Sequence, residues 1–273
     1  MTMQMQSKSA AAPHRMTREE WKRRRRLRLI RNWVLFLSAC AATMALMTSG
    51  ILWLLPRANA LIAGPETFEA QQYDGSSYTL NEADERLVLV NANLTLQTEP
   101  APTLAVADDA TGESLEAEAA AAYREMAAAA AEDGIELTLV MGHQDTAARE
   151  AAFDAVKQKY ITKGCDEAEA IVCAATIQPT ATASEQATGY GADILAADYL
   201  QKDTGFAETR AYEWLTAFAA EYGFILRYPQ QRQAATGVVF EPWHWRYVGA
   251  ENALAIRASG LSLEGFLALE QTK

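Results

Sequence analysis

Apolar residues follow two different patterns along this chain. One uninterrupted apolar run occupies residues 33–55 and contains no charged side chain. Beyond residue 85, apolar and polar residues alternate in short stretches, a pattern typical of half-buried strands. Longer stretches between them are rich in alanine, which favours helices. The pattern therefore predicts a membrane-spanning helix followed by a mixed domain of helices and short strands.

In the mixed domain, helices and strands follow no regular order, which predicts an α+β fold with a small, mostly antiparallel sheet and flanking helices. Ser114 is expected to cap the first helix and Asp145 the second, since both residue types accept hydrogen bonds from a first helical turn. Predicted helices cover residues 114–132, 145–160, 166–174, 209–222 and 249–268, the last one broken at Gly260. Predicted strands cover residues 86–91, 135–140, 189–195, 224–228 and 237–240, and residues 92–114 form a loop with at most one short strand.

The uninterrupted run of 23 residues is long enough to cross a bilayer. As a helix it rises about 34 Å, against a hydrocarbon core of about 30 Å. The basic cluster Lys22–Arg26 precedes it, which places the N-terminus in the cytoplasm by the positive-inside rule. A cleaved signal peptide, with Ala58-Asn59-Ala60 as its cleavage site, stays open, but the run exceeds the usual apolar core of such peptides and favours an uncleaved anchor. Either way, residues 60–273 lie outside the membrane.

The charge is divided between the two ends of the chain. Residues 1–57 carry 11 Lys and Arg against 2 Asp and Glu, a net +9, whereas residues 58–273 carry 13 against 33, a net −20. An acidic domain excludes nucleic acid as a partner, since phosphate binding needs a basic surface. The predicted organisation is a basic cytoplasmic tail, a transmembrane helix, an extracytoplasmic stalk and a folded domain, at residues 1–32, 33–55, 56–85 and 86–273.

Two cysteines, Cys165 and Cys173, lie in the external domain, and Cys40 lies in the apolar run. On one continuous helix the external pair would be about 12 Å apart, too far for a disulfide. A disulfide therefore requires a bend between them.

A glutamate and a histidine three residues apart, Glu241 and His244, are flanked by Trp243 and Trp245. A single-zinc peptidase needs three protein ligands, an open position for water and a general base. His244 and Asp193 are candidate ligands, and Glu241 is a candidate base. The two tryptophans are candidate lining residues of a peptide site, although core packing is the competing interpretation for both.

The order of several motifs gives the chain a resemblance to VanY-type D-alanyl-D-alanine carboxypeptidases, zinc enzymes that remove the terminal D-Ala of cell-wall peptides. It extends over residues 86–269 and rests on Trp214-Leu215, Tyr222–Pro229, Thr236-Gly237, Glu241–Gly249 and Gly260–Glu264. The resemblance implies the compact α+β fold of D-Ala-D-Ala peptidases and a zinc cofactor. It also implies a peptidoglycan stem peptide ending in D-Ala-D-Ala as partner, and a location on the outer face of a bacterial cell membrane.

Carried over position by position, the resemblance puts Asp193 and His244 on two zinc ligands and Glu241 on the catalytic base. The segment Ser184–Asp193 follows the family pattern S-x-H-x-x-G-x-A-x-D, with Gln186 at the third ligand position and Ser184 beside the substrate. An amide oxygen is a weak, neutral ligand for zinc. The metal site implied by the resemblance is therefore missing one imidazole.

A second departure lies after the strand at residues 135–140. Gln144 stands where the family has an arginine near the substrate, and Arg149 stands where it has a glutamine. Loss of the arginine weakens stabilisation of a substrate carboxylate or a developing oxyanion. The neighbouring His143 offers an imidazole that swings inward to replace the lost one, with a surface or packing histidine as the competing interpretation.

Three functions follow from these residues. The first is an active zinc D,D-carboxypeptidase with an altered ligand set. The second is a membrane-anchored domain that binds stem peptide or a partner without cleaving it. The third is a structural or regulatory ectodomain that keeps the fold alone. The two departures favour the second and the third function over the first.

Overall fold

A computed structural model describes residues 84–270 and, nearer the N-terminus, residues 23, 26–27, 29–38, 40–41, 43–44 and 47–48, which are helical. The chain divides into two compact units, residues 1–64 and 65–273. Within the described ranges, no helix combines the length and apolarity that crossing a membrane requires. The last seven residues of the predicted span, 49–55, lie outside the described residues, as do residues 1–22 of the predicted tail and nearly all of the predicted stalk.

The second unit contains six strands and seven α-helices among its described residues. The strands are β1 (Leu104–Val106), β2 (Ser114–Glu116), β3 (Leu137–Met141), β4 (Gly191–Ala196), β5 (Phe224–Leu226) and β6 (His244–Tyr247). The helices are α1 (Ala117–Glu132), α2 (Thr146–Thr162), α3 (Glu167–Ala175), α4 (Arg210–Phe218), α5 (Gln233–Thr236), α6 (Ala250–Ser259) and α7 (Leu263–Glu270). This mixture confirms the predicted fold class.

A four-stranded antiparallel sheet is the centre of this unit, with the strand order β3-β4-β6-β5. All six residues of β4 and all four of β6 are buried. Strands β1 and β2 form a separate antiparallel hairpin. The two inner strands therefore place their side chains in the interior, where charged groups need partners.

Helices cover the sheet through three apolar clusters. The largest joins α1 and α4 to the sheet through buried side chains such as Met126, Leu139, Ile194 and Leu215. A second, smaller cluster includes Ile225, Val248, Ile256 and Leu263. A third lies between α2 and α3, and Cys165 and Cys173, both free thiols, pack against it.

The strand predicted at residues 86–91 is wrong. Residues Glu85–Leu87 form a 3₁₀ turn, and the following residues have an irregular conformation. The Arg246 guanidinium donates hydrogen bonds of 3.0 Å to the carbonyls of Arg86 and Val88. The Arg246 side chain thus hydrogen-bonds the backbone carbonyls that would otherwise bond to a neighbouring strand.

Two further boundaries differ from the prediction. Ser114 belongs to β2, and α1 begins three residues later because the Glu116 carboxylate accepts from the backbone N–H groups of Glu118 and Ala119. The predicted strand at residues 237–240 is irregular, and the strand begins instead at His244. The cap at Asp145 is confirmed, since its carboxylate accepts from the N–H of Ala148.

Candidate active site

Asp193 and His244 face each other across the two inner strands. They are paired residues in the antiparallel register of β4 and β6, so their side chains project from the same face of the sheet. His244 Nδ1 lies 2.6 Å from Asp193 Oδ1, and both residues are buried. The fold thus brings together two of the predicted site residues in direct contact.

Glu241 joins them from the turn before β6. The backbone N–H of His244 donates to the Glu241 carbonyl at 3.1 Å, which fixes the turn, and the Glu241 side chain is buried. Burial raises the pKa of this carboxyl to about 8, the charge of Asp193 adds to the rise, and the positive charges of His244 and Lys202 oppose it. At neutral pH the carboxyl is largely protonated, a form that cannot accept a proton from water.

Gln186 lies beside the same histidine, in the 3₁₀ turn Glu185–Thr188. Its amide oxygen accepts a 2.7 Å hydrogen bond from the Ser184 hydroxyl, and its amide nitrogen lies 3.3 Å from His244 Nδ1. An amide N–H₂ is a donor and offers no lone pair to a metal. Gln186 therefore occupies the predicted third ligand position, beside His244 and oriented by the Ser184 hydroxyl.

Lys202, which the sequence analysis did not single out, completes the cluster. Its ammonium nitrogen lies 2.5 Å from Asp193 Oδ2, and its side chain is 35 % exposed. Both oxygens of Asp193 are thereby engaged, one by His244 and the other by Lys202. These contacts hold the pKa of Asp193 at about 2, although burial would raise it.

This donor set does not fit a zinc ion. Among the described residues, no three His, Cys, Asp or Glu side chains are placed to hold a metal together. Burial lowers the pKa of His244, but its contact with Asp193 outweighs burial and raises the pKa to about 9. Zinc needs a free imidazole nitrogen and a free carboxylate oxygen, and here His244 Nδ1 and both oxygens of Asp193 are engaged with each other and with Lys202.

A buried network of charges lies behind His244. Glu185 Oε1 accepts from Arg227 Nε at 2.8 Å and lies 3.1 Å from Arg246 Nη1, while the other Glu185 oxygen lies 3.8 Å from His244 Nε2. Arg227 also makes a bidentate pair with Glu264 of α7, at 3.0 and 2.6 Å. Burial alone would raise the pKa of Glu185, but the two guanidinium groups hold it far below its usual range.

The sequence contained a signal for this network. Arg227 follows the apolar strand β5, and Arg246 lies within the apolar strand β6. Charged residues in buried strands are stable only when they are paired. Both arginines lie in segments that carry the family resemblance, and their carboxylate partners, Glu185 and Glu264, lie in other segments of the chain.

The predicted substrate-binding residues are placed unequally. Gln144 donates its backbone N–H to the Gln186 carbonyl at 3.1 Å, and its buried side-chain oxygen has no hydrogen-bond partner in the described part of the chain. Ser184 is buried and is used to orient Gln186. His143 donates its backbone N–H to Ser114, and the charges that act on its imidazole come from Arg149, Glu99 and Asp145, outside the site.

The two tryptophans do not share a role. Trp245 is 2 % exposed and belongs to the main apolar cluster, on the face of β6 opposite His244, because side chains alternate along a strand. This corrects its predicted role as a lining residue of the site. Trp243 is half-buried and packs against the edge of that cluster.

Arg149, at the position of a family glutamine, is a structural residue. Its guanidinium is 1 % exposed and contacts the carboxylate of Glu99, the carbonyl of Ala181 and the hydroxyl of Thr146. These contacts join α2 to the loop before Ser184. Arg149 therefore does not supply the positive charge lost at Gln144.

Comparison with known proteins agrees with this architecture. The D-alanyl-D-alanine carboxypeptidase of Enterococcus faecalis is 36 % identical over 143 residues, which are 52 % of this chain and 52 % of that protein. The chain thus spans about half the length of the curated relatives it matches. The structure of VanYB in complex with D-Ala-D-Ala has a TM-score of 0.60 at 30 % identity and covers 67 % of this chain and 97 % of that one.

Two further solved structures carry the same fold. A VanY E175A mutant in complex with Zn(II) has a TM-score of 0.60 at 30 % identity, covering 67 % of this chain and 99 % of that one. The LdcB LD-carboxypeptidase has a TM-score of 0.60 at 26 % identity, covering 74 % of this chain and 98 % of that one. The model of the family described as VanY, D-alanyl-D-alanine carboxypeptidase, matches residues 112–250, half of the chain. On this match, the chain belongs to the VanY D-alanyl-D-alanine carboxypeptidase family.

Proposed function

We propose that this chain is a membrane-anchored, extracytoplasmic domain that binds peptidoglycan stem peptides ending in D-Ala-D-Ala and does not hydrolyse them. The N-terminus lies in the cytoplasm of a bacterial cell, and residues 33–55 form the single anchor. The runner-up function is an active zinc D,D-carboxypeptidase with an altered ligand set. A structural or regulatory ectodomain is the third.

The observation that carries the proposal is the occupation of the Asp193 carboxylate. Its two oxygens contact His244 and Lys202 at 2.6 and 2.5 Å, and the oxygen of Gln186 is held by Ser184. A catalytic zinc needs three protein ligands and an open position for water. With these contacts in place, neither the ligands nor the activated water is available.

Peptide binding is supported by what the site retains. The Gln144 side chain is shorter than the family's arginine and uncharged, but it keeps a hydrogen-bonding group, and its oxygen has no partner among the described residues. An unpaired buried acceptor costs about 1–3 kcal/mol, so a peptide N–H that reaches it is favoured. The relative VanYB, of the same fold, has been solved with D-Ala-D-Ala.

The test is a binding titration of the purified full chain in detergent with a pentapeptide ending in D-Ala-D-Ala. We expect saturable binding and no release of D-Ala above a protein-free blank. Gln144→Ala should weaken binding by about 2–10-fold, the value of one hydrogen bond. Gln158→Ala, on the exposed surface of α2, should leave the affinity unchanged.

Two results would contradict the proposal. Turnover that requires stoichiometric zinc and disappears in Glu241→Ala would establish the active carboxypeptidase. Absence of both binding and turnover in a folded protein would leave only the structural ectodomain.

A further inference from the structure

We infer that the Lys202 ammonium group takes the place of a metal ion in this site, as a built-in cation that compensates Asp193 and excludes zinc. This inference rests on the proposed loss of zinc catalysis and adds the device that maintains it. It assigns a role to a lysine outside every family motif quoted above. The site thus lacks one metal ligand and also holds the positive charge of Lys202, which excludes a metal ion.

The first support is the contact geometry. Asp193 is 1 % exposed, and its Oδ2 lies 2.5 Å from Lys202 Nζ, within reach of a direct charge-assisted hydrogen bond. The ammonium therefore contacts a metal-ligand position of the family directly, through the Asp193 oxygen that His244 does not contact.

The second support is the backbone conformation that places Lys202 beside Asp193. After β4 the chain turns back at once, since the N–H of Tyr199 donates to the Ala196 carbonyl at 2.8 Å. Asp203, the next residue after Lys202, accepts from the Tyr199 hydroxyl at 2.6 Å and from the N–H of Gly205 at 2.8 Å. These bonds fix the loop on both sides of Lys202 and direct it toward the strand that carries Asp193.

The third support is chemical. Removal of a dication from between buried carboxyl groups leaves a charge that must be compensated. A lysine is a compact point charge on a flexible stem, suited to reach such a position. An ammonium has three donors and no vacant coordination position, so it compensates the carboxylate without binding or activating water.

The experiment compares zinc affinity in four forms of the full chain: the natural protein, Gln186→His, Lys202→Met and the double variant. Zn²⁺ is titrated calorimetrically, and Co²⁺ absorption reports the coordination geometry. We expect Gln186→His alone to bind zinc weakly, because Lys202 still holds Asp193. The double variant should bind zinc at least about 100-fold more tightly, through three protein ligands in tetrahedral geometry.

A matched control replaces Lys157, whose Nζ pairs with Asp154 on the surface of α2. Gln186→His with Lys157→Met should have the same zinc affinity as Gln186→His alone. Equal affinities of Gln186→His and the double variant would overturn the inference. This outcome differs from failure of the proposed function, in which the natural protein itself binds zinc and releases D-Ala.

A second measurement does not depend on how well the variants fold. In competitive acetylation of the natural protein, read by mass spectrometry, Lys202 should react at least about 10-fold more slowly than the exposed Lys163, because a paired ammonium is protected from loss of its proton. Equal reactivity of the two lysines would contradict the pairing of Lys202 with Asp193.

Discussion

Replacing Arg227 with methionine is expected to lower the free energy of unfolding by about 3–5 kcal/mol, the cost of breaking a buried ion pair by removing one partner. Arg227 and both of its carboxylate partners, Glu185 and Glu264, have fully buried side chains. Methionine fills much of the volume but removes the cation paired with Glu264 and leaves Glu185 with Arg246 at 3.1 Å and His244 at 3.8 Å. The bidentate contact with Glu264 also joins α7 to the strand region, so its loss loosens the C-terminal helix.

Urea unfolding followed by circular dichroism measures this loss. Arg232→Met is the matched control, because Arg232 is exposed and its guanidinium makes one hydrogen bond, 2.7 Å long, to the Gly260 carbonyl. An exposed contact of this kind contributes about 1 kcal/mol or less to the free energy of unfolding. A loss below about 1 kcal/mol in Arg227→Met would mean that the network does not stabilise the fold. Glu264→Gln, which keeps the shape, should show an intermediate loss.

Asp193→Asn is expected to have the second large effect, lowering the free energy of unfolding by about 2–4 kcal/mol. The substitution keeps the shape of the side chain but removes the negative charge between the His244 imidazolium and the Lys202 ammonium. It also turns an amide N–H₂ toward one of two donors. Most of the loss is assigned to His244, which is buried, because Lys202 is 35 % exposed and can turn toward water.

Asp154→Asn is the control for this change. Asp154 lies 2.7 Å from Lys157 and is 60 % exposed. Asp154→Asn should therefore change the free energy of unfolding by no more than about 0.5 kcal/mol. The two variants carry the same chemical change at a buried and an exposed pair. Equal stabilities of the two in thermal and urea unfolding would show that the Asp193 contacts contribute nothing to the folded state.

The sequence was sufficient to predict the centre of the site. Asp193 and His244 were identified from motif spacing, and the structure places them opposite each other on adjacent strands. Gln186 and Gln144 were identified as departures from the family, and both lie at this centre. Their positions follow from motif order, which fixes which strands carry the groups, and their roles in the site stay predictions.

Other features were not accessible from spacing. Lys202 reaches Asp193 through a tight turn after β4, and neither its neighbours nor its distance along the chain indicates that contact. The strand at residues 86–91 failed because Arg246, 160 positions away from Arg86, satisfies its carbonyls. Trp245 was assigned to the site because it flanks His244 in the sequence. With β6 beginning at His244, alternation alone places Trp245 in the core.

The site thus preserves the positions of a metallopeptidase while its charges are compensated by protein groups alone. His244 lies between Asp193 and Glu185, and Lys202 contacts the second oxygen of Asp193. Both oxygens of Asp193 are therefore engaged by protein groups in the described part of the chain.

The most direct test of this account is zinc binding by the natural protein. Purified full chain is equilibrated with Zn²⁺, its metal content is determined by elemental mass spectrometry, and its thermal unfolding is recorded with and without a chelator. The account predicts well below one zinc per chain and the same unfolding temperature in both conditions. One tightly held zinc per chain, with an unfolding temperature that falls when the metal is removed, would contradict it.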